Sequence, residues 1–162
     1  MKPTLEKILV ATDFSDLSAE AVQYARSLAE TYNAEMVLVH VIDDAPALAF
    51  HTMELTTDIV IEDTTKNAEE HLTQFVKDHD VRAPKGLRLI TRRGNPHEEI
   101  TRLAREERVG LIVMATHGRT GLAHVLLGSV AEKVVQHSDI PVLTIKPVKV
   151  QSTTPSAETS QE

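Results

Sequence analysis

A chain of 162 residues with 41% hydrophobic and 25% charged side chains has the size and make-up of one soluble domain with a proper core. Its 24 acidic residues against 17 basic ones give a net charge of −7, which argues against nucleic acid or an anionic membrane as partner. Three Phe, two Tyr and no Trp make a base-stacking platform a poor expectation, and the absence of Cys excludes a disulfide framework, a thiolate zinc site and a thiol nucleophile. The opening Met1 to Lys7 lacks an apolar stretch, and no apolar run approaches the roughly 20 residues of a membrane span, so a soluble, cytoplasmic protein is expected.

In chain order, Ile8-Leu9-Val10-Ala11-Thr12 reads as a first strand. A helical pattern follows from Ser15 to Tyr32, with Val22, Ala25, Ala29 and Tyr32 at spacings of three, four and three. Met36 to Val41 is a second strand. Asp43 to Thr57 contains Pro46 and no clear period, and reads as a loop running into a helix. From Asp58 to about Asp80 the pattern is helical again, with Ala68, Leu72, Phe75 and Val76 on one face. Gly86 to Arg93 is a third strand, polar enough to predict an edge position.

Asn95-Pro96-His97-Glu98 is a helix start, with Asn as cap, Pro in the first position and Glu in the first turn. That helix should turn Ile100, Leu103 and Ala104 inward. Leu111 to Ala115 is a fourth strand, Val130 to Val135 a further helix, and Pro141 to Ile145 a fifth strand. Residues 1–148 are thus expected to form one domain, and the Ser/Thr/Glu-rich tail at 149–162 to be disordered.

Strands one, two, four and five are near-continuous apolar runs, the mark of strands covered on both faces. An α/β three-layer arrangement with a parallel sheet follows. In open sheets of this kind ligands sit beyond the carboxyl ends of the strands, where the winding reverses. After strand one come Thr12-Asp13; after strand four come Ala115-Thr116-His117-Gly118, and past nine intervening residues Gly128-Ser129 open a helix. Small residues let backbone N–H groups approach an anion closely, and a helix N-terminus favours negative charge. The same residues serve equally as a plain turn with Gly128-Ser129 as a cap. Asp13 likewise reads either as a functional carboxylate or as the N-cap of the helix after it.

Taken together, Val10-Ala11-Thr12-Asp13-Phe14-Ser15, His40-Val41-Ile42-Asp43, the Gly118 to Ser129 loop and Ser138-Asp139-Ile140-Pro141-Val142-Leu143 resemble the universal stress protein family, over roughly Lys7 to Lys146. The resemblance implies an open five-stranded parallel sheet in the order 3-2-1-4-5, of the adenine-nucleotide alpha-hydrolase-like kind. It implies binding of ATP (or AMP or ADP), with Mg²⁺ held mainly by the phosphates, through the pattern G-x2-G-x9-G-[S/T]. Ala115, Gly118, Gly128 and Ser129 occupy that pattern, with one glycine replaced. If residue 115 needs a left-handed backbone, alanine costs roughly 1–2 kcal/mol, or about five- to thirty-fold in affinity. If glycine serves there only for close approach, alanine fits.

By the same resemblance, Asp13, with Thr12 before it, lies near the ribose and, through water or metal, the phosphates. Val41 offers backbone groups to the adenine edge, Ala11 lines the base pocket, and Met114 and Ala115 sit against ribose and base. Gly118, Gly128, Ser129, Val130 and Ala131 surround the phosphates, with His117 and Arg119 as further phosphate contacts. For Ala11 and Val41 the plain alternative is strand-end core, and for His117 and Arg119 an exposed loop position. The resemblance also implies a homodimer, through antiparallel pairing of the last strand, Val142–Lys146.

The other histidines form no ligand set: His71 and His79 share a helix side only loosely, and His97-Glu98-Glu99 is a helix first turn. Glu106, Glu107 and the nearby arginines read as a solvated helix face. No G-x4-G-K-[S/T] occurs. Three functional readings follow. The first is a nucleotide-dependent regulatory switch, acting on a protein partner the sequence does not identify. The second is a slow ATPase or phosphotransfer enzyme, for which only Asp13, His117 and Arg119 are candidates. The third is a dimeric interaction module without nucleotide, favoured by Ala115.

Overall fold

The structure, a computed structural model, describes residues 5–44, 57–118 and 127–147, and of residues 57–61 and 63 the backbone alone. The expected loop after Asp43 lies, over residues 45–56, outside the described residues, as do Arg119 and the tail. Strands β1 (Lys7–Ala11), β2 (Glu35–Asp43), β3 (Leu87–Gly94), β4 (Leu111–Ala115) and β5 (Val142–Ile145) alternate with helices α1 (Asp16–Tyr32), α2 (Thr57–Asp78), α3 (Pro96–Glu106) and α4 (Ser129–His137). All strand pairs are parallel, in the order β3-β2-β1-β4-β5.

The apolar runs explain this layering. Alternate side chains of a strand point to opposite faces, so a strand apolar throughout needs a cover on both. Ile8, Val10, Met36, Leu38 and Val113 pack on one face with Val22, Ala25 and Ala29 of α1 and Leu72 and Phe75 of α2. Leu9, Val37, Val39, Ile112 and Met114 pack on the other with Ile100, Leu103 and Ala104 of α3 and Ala131 and Val134 of α4. The polar strand β3 is at an edge, as its composition predicts. At the other edge β5 is covered less than its apolar run suggests, since only Ile145 is buried. The stripe on α1 ends at Ala29; Tyr32, one step further along it, is 57% exposed. Among the described residues no helix is long and apolar enough to cross a membrane.

Glu107 corrects the expectation of a solvated face. Glu106 does pair at the surface with Arg92 (2.6 Å). Glu107, however, is 15% exposed, and its Oε2 accepts from Lys7 Nζ (3.2 Å) and Arg88 Nη1 (2.5 Å), while Lys7 also reaches Glu35 (3.5 Å). The group ties the starts of β1, β2 and β3 to the end of α3. Burial alone pushes the Glu107 carboxyl up, but the hydrogen bonds and charges of Arg88 and Lys7 outweigh it, and its pKa lies below the ordinary 4.5.

A carboxyl lowered in the folded state binds its proton more readily when unfolded. Its contribution is therefore complete above pH 4.5 and disappears as pH falls through the lowered value. Glu107→Gln should cost about 1–2 kcal/mol at pH 7. In thermal unfolding the gap between variant and wild type should narrow steadily below pH 4.5.

Candidate functional site

Where the winding reverses, between the ends of β1 and β4, a cleft of about 470 Å³ opens. Two hydrogen bonds fix its rims just past the strands: Thr12 N–H donates to Val39 O (2.9 Å) and Thr116 N–H to Ile145 O (2.9 Å). Thr12-Asp13 and Thr116-His117-Gly118 thereby face each other. Ala11, Val41 and Met114 line the apolar side of the same cleft.

On the β1 rim the cap of α1 is Ser15, whose hydroxyl accepts from Ser18 N–H (3.2 Å). Asp13 is therefore not the cap. Its Oδ1 accepts from the Ser15 amide (3.0 Å) and hydroxyl (2.5 Å), so the carboxylate is oriented by the residue that does the capping. Between them Phe14 takes a left-handed backbone, φ 66°, with its N–H donating to Thr12 Oγ1 (3.0 Å).

On the β4 rim Ala115 pairs with Ile145 at the end of a regular parallel ladder and does not have a positive φ. The left-handed backbone considered for that position is thus not the one it has, and alanine is unstrained there. Gly118 is demanded by proximity: a Cβ on it would lie 2.7 Å from Asp13 Oδ2. Gly128 closes the loop, its N–H donating to Thr116 O (2.6 Å), and a Cβ there would lie 3.0 Å from that same oxygen. Its amide therefore serves the loop rather than the cleft, which corrects its expected place among the anion donors.

Helix α4 then begins at Ser129 with Gly128 in the cap position and, among the described residues, no side-chain cap. The intrahelical ladder starts only with Glu132 N–H to Gly128 O (2.9 Å), so the amides of Ser129, Val130 and Ala131 precede it, and all three residues line the cleft. The Ser129 hydroxyl does not act as the cap that the plain reading assigns to it. His117 also lines the cleft, half-buried, with Nδ1 2.9 Å from Thr116 Oγ1, a more ordered position than a solvated loop histidine.

Sequence reasoning missed Ser18, Pro96 and Ile100, all on the cleft wall. Ser18 is buried, 2.9 Å from Thr12 Oγ1 through its hydroxyl. Pro96 and Ile100 arrive because β2 and β3 run in register as far as Asp43 and Gly94, which sets the start of α3 beside the end of β2. Among the described residues no three His, Asp or Glu are grouped to hold a metal ion. His71 instead meets Phe14 edge-on (6.0 Å), and His79 packs on Phe75 (4.5 Å).

The profile of the universal stress protein family matches residues 4–146. The chain belongs to that family. Universal stress protein MJ0531 of Methanocaldococcus jannaschii is 34% identical over 89% of this chain and 84% of its own length. MJ0577 of the same organism has a solved structure that superposes with a TM-score of 0.75 at 32% identity, covering 90% of this chain and 99% of that one. An Archaeoglobus fulgidus universal stress protein solved in complex with dAMP shares the fold, with a TM-score of 0.57 at 22% identity over 88% of this chain and 99% of that one.

The backbone at the two small-residue positions makes opposite demands. Ala115→Gly should relieve no strain and lower stability by about 0.5–1 kcal/mol through backbone entropy. Gly128→Ala should lower it by about 1 kcal/mol or more, because its Cβ has to displace a hydrogen-bonded carbonyl. Each kcal/mol should appear in thermal denaturation as a fall of roughly 2–4 °C. A higher melting temperature for Ala115→Gly would contradict the unstrained backbone described for that residue.

Proposed function

We propose that this universal stress protein binds an adenine nucleotide, ATP or its AMP and ADP relatives, in the cleft between β1 and β4 and acts as a nucleotide-dependent switch. One observation carries the reading: among the described residues no side chain caps the start of α4, and its first residues line a cleft of about 470 Å³ opposite the oriented Asp13 carboxylate. That volume is in the range of small-molecule sites, and amides at a helix start are phosphate donors. The spacing of Ala115, Gly118, Gly128 and Ser129 supports it, and so does the fold shared with a protein holding dAMP.

In this reading Ser129, Val130 and Ala131 take the phosphates, with His117 and Arg119 beside them. Ala11, Val41, Met114 and Ala115 take base and ribose, and Thr12-Asp13 the ribose side. Gly118 lets Asp13 approach, and Gly128 shapes the loop. Mg²⁺ suits this donor set, since it is held by one or two carboxylates together with substrate phosphates and water. Asp13 is the carboxylate that would meet it.

Binding rather than hydrolysis is favoured because no lysine or arginine among the described residues lines the cleft, whereas phosphoryl transfer needs concentrated positive charge at the γ-phosphate. Occupancy acts as a switch to the extent that the nucleotide prefers one conformation of the protein. We further propose a cytoplasmic homodimer built on Val142–Lys146, since β5 is an edge strand and, among the described residues, has no strand on its outer side. Its domain would be residues 1–148.

Acid extraction of the purified protein should release adenine nucleotide, and calorimetry on stripped protein should show one site per chain. Gly118→Val drives a side chain against the Asp13 carboxylate and should weaken ATP binding more than about tenfold, the loss of one charge-assisted contact or more, with the dimer unchanged in light scattering. Unaltered binding in Gly118→Val would place the nucleotide elsewhere.

A further inference from the structure

The ladder between β1 and β2 ends with Ala11 opposite Val39, and the next residue, Thr12, is buried. Its N–H is satisfied by Val39 O (2.9 Å), but the strand pairing offers nothing to its carbonyl. A buried carbonyl needs a donor, and the imidazole of His40 provides one, with Nδ1 2.9 Å from Thr12 O. Because a carbonyl oxygen only accepts, Nδ1 carries the proton, which fixes the tautomer of neutral His40.

This contact sits directly before the strained part of the site. Phe14 holds φ 66°, a conformation disfavoured for any residue with a Cβ and kept only where the surroundings over-determine it. Three constraints converge there. The Phe14 amide is tied to Thr12 Oγ1 (3.0 Å), and its ring lies on the His40 imidazole (4.3 Å between centroids, 31° apart). The Thr12–Asp13 peptide plane is fixed by the His40 hydrogen bond. Thr12 Oγ1 is in turn braced by Ser18 Oγ (2.9 Å).

We propose that His40 is a positioning residue of the cleft: by donating to the Thr12 carbonyl it holds the Asp13-Phe14 turn left-handed and aims the Asp13 carboxylate at Gly118. The inference rests on the nucleotide reading above and adds to it a residue that acts through the turn rather than through the ligand. Nothing in the spacing of the small-residue loop points to this residue, because its partner lies 28 positions earlier in the chain.

Two substitutions separate the hydrogen bond from the ring. In His40→Asn the amide Nδ2 takes the place of imidazole Nδ1, keeping the donor and losing the ring. In His40→Phe the ring stays against Phe14 and the donor goes. Calorimetry with ATP on stripped protein should show His40→Phe weakened about tenfold, one net hydrogen bond, and His40→Asn within about threefold of wild type. Amide spectra without ligand should show Asp13 and Phe14 displaced in His40→Phe and close to their wild-type positions in His40→Asn.

Thermal melts establish that each variant is folded. If His40→Phe is not, His40→Leu, which has no donor, takes its arm. Wild-type affinity in the donor-less variant overturns the role of His40, and so does a loss in His40→Asn equal to that in His40→Phe. Wild-type protein that binds no ATP overturns instead the nucleotide reading, and this role with it.

Discussion

Because β1 pairs with β2 on one side and β4 on the other, the chain reverses its winding at a single place in the sheet, and the described residues of the candidate site are gathered at that place. The pairing is a consequence of burial. Ile8, Leu9 and Val10 are fully covered, which is possible only for a central strand with helices on both faces. With β1 fixed at the centre, the turns after β1 and β4 have to diverge to opposite layers, α1 to one and α4 to the other, and a cleft between them follows from topology before any side chain is chosen.

What the side chains add is a set of close approaches. The Asp13 carboxylate lies 2.7 Å from where a Cβ of residue 118 would be, and the Thr116 carbonyl lies against residue 128. The two glycines therefore do different work. Gly118 makes room for an anionic side chain, and Gly128 closes a loop by donating its own amide at 2.6 Å. Neither is present for a left-handed backbone; among the described residues of the cleft rims it is Phe14 that adopts one, without steric licence and held by its neighbours. Strain, a carboxylate and open amides thus share one cleft, the combination expected where local stability is given up to recognition.

The fold was legible in the sequence because its signals are long and redundant. Four apolar runs, a polar edge strand and the Asn95-Pro96 helix start each agree with the others, so an error in one would not move the rest. The site was legible in position, since spacing sets residues 11–13, 115–118 and 128–131 just past two strand ends and the strand order that the resemblance implies sets those strands side by side. Roles were less so. Whether Asp13 or Ser15 caps α1 turns on backbone angles two residues apart, and both residue types suit the task. Glu107 looked solvated because its partners Lys7 and Arg88 are far away in sequence and reach it only through the sheet. The stripe that ends at Ala29 rather than Tyr32 reflects where α1 runs past the sheet, which periodicity cannot locate.

The two ends of the sheet are built by opposite rules. At the amino ends of β1, β2 and β3, Lys7, Glu35, Arg88 and Glu107 neutralise one another, and the end is closed. At the carboxyl ends, no side chain among the described residues accepts from the first amides of α4, although Ser129 stands next to the cap position with a hydroxyl that a shift of one residue would use. On the nucleotide reading, a phosphate supplies the acceptor that the chain withholds. Ligand bound only by the folded protein adds RT ln(1 + [L]/Kd) to its stability, and the largest share should fall on the element whose first turn it completes. The start of α4 would then be loosest when empty and firmest when occupied, and the neighbouring edge strand β5 follows directly from that helix. A change of occupancy thereby has a short physical route from the cleft to the edge on which a second copy would pair.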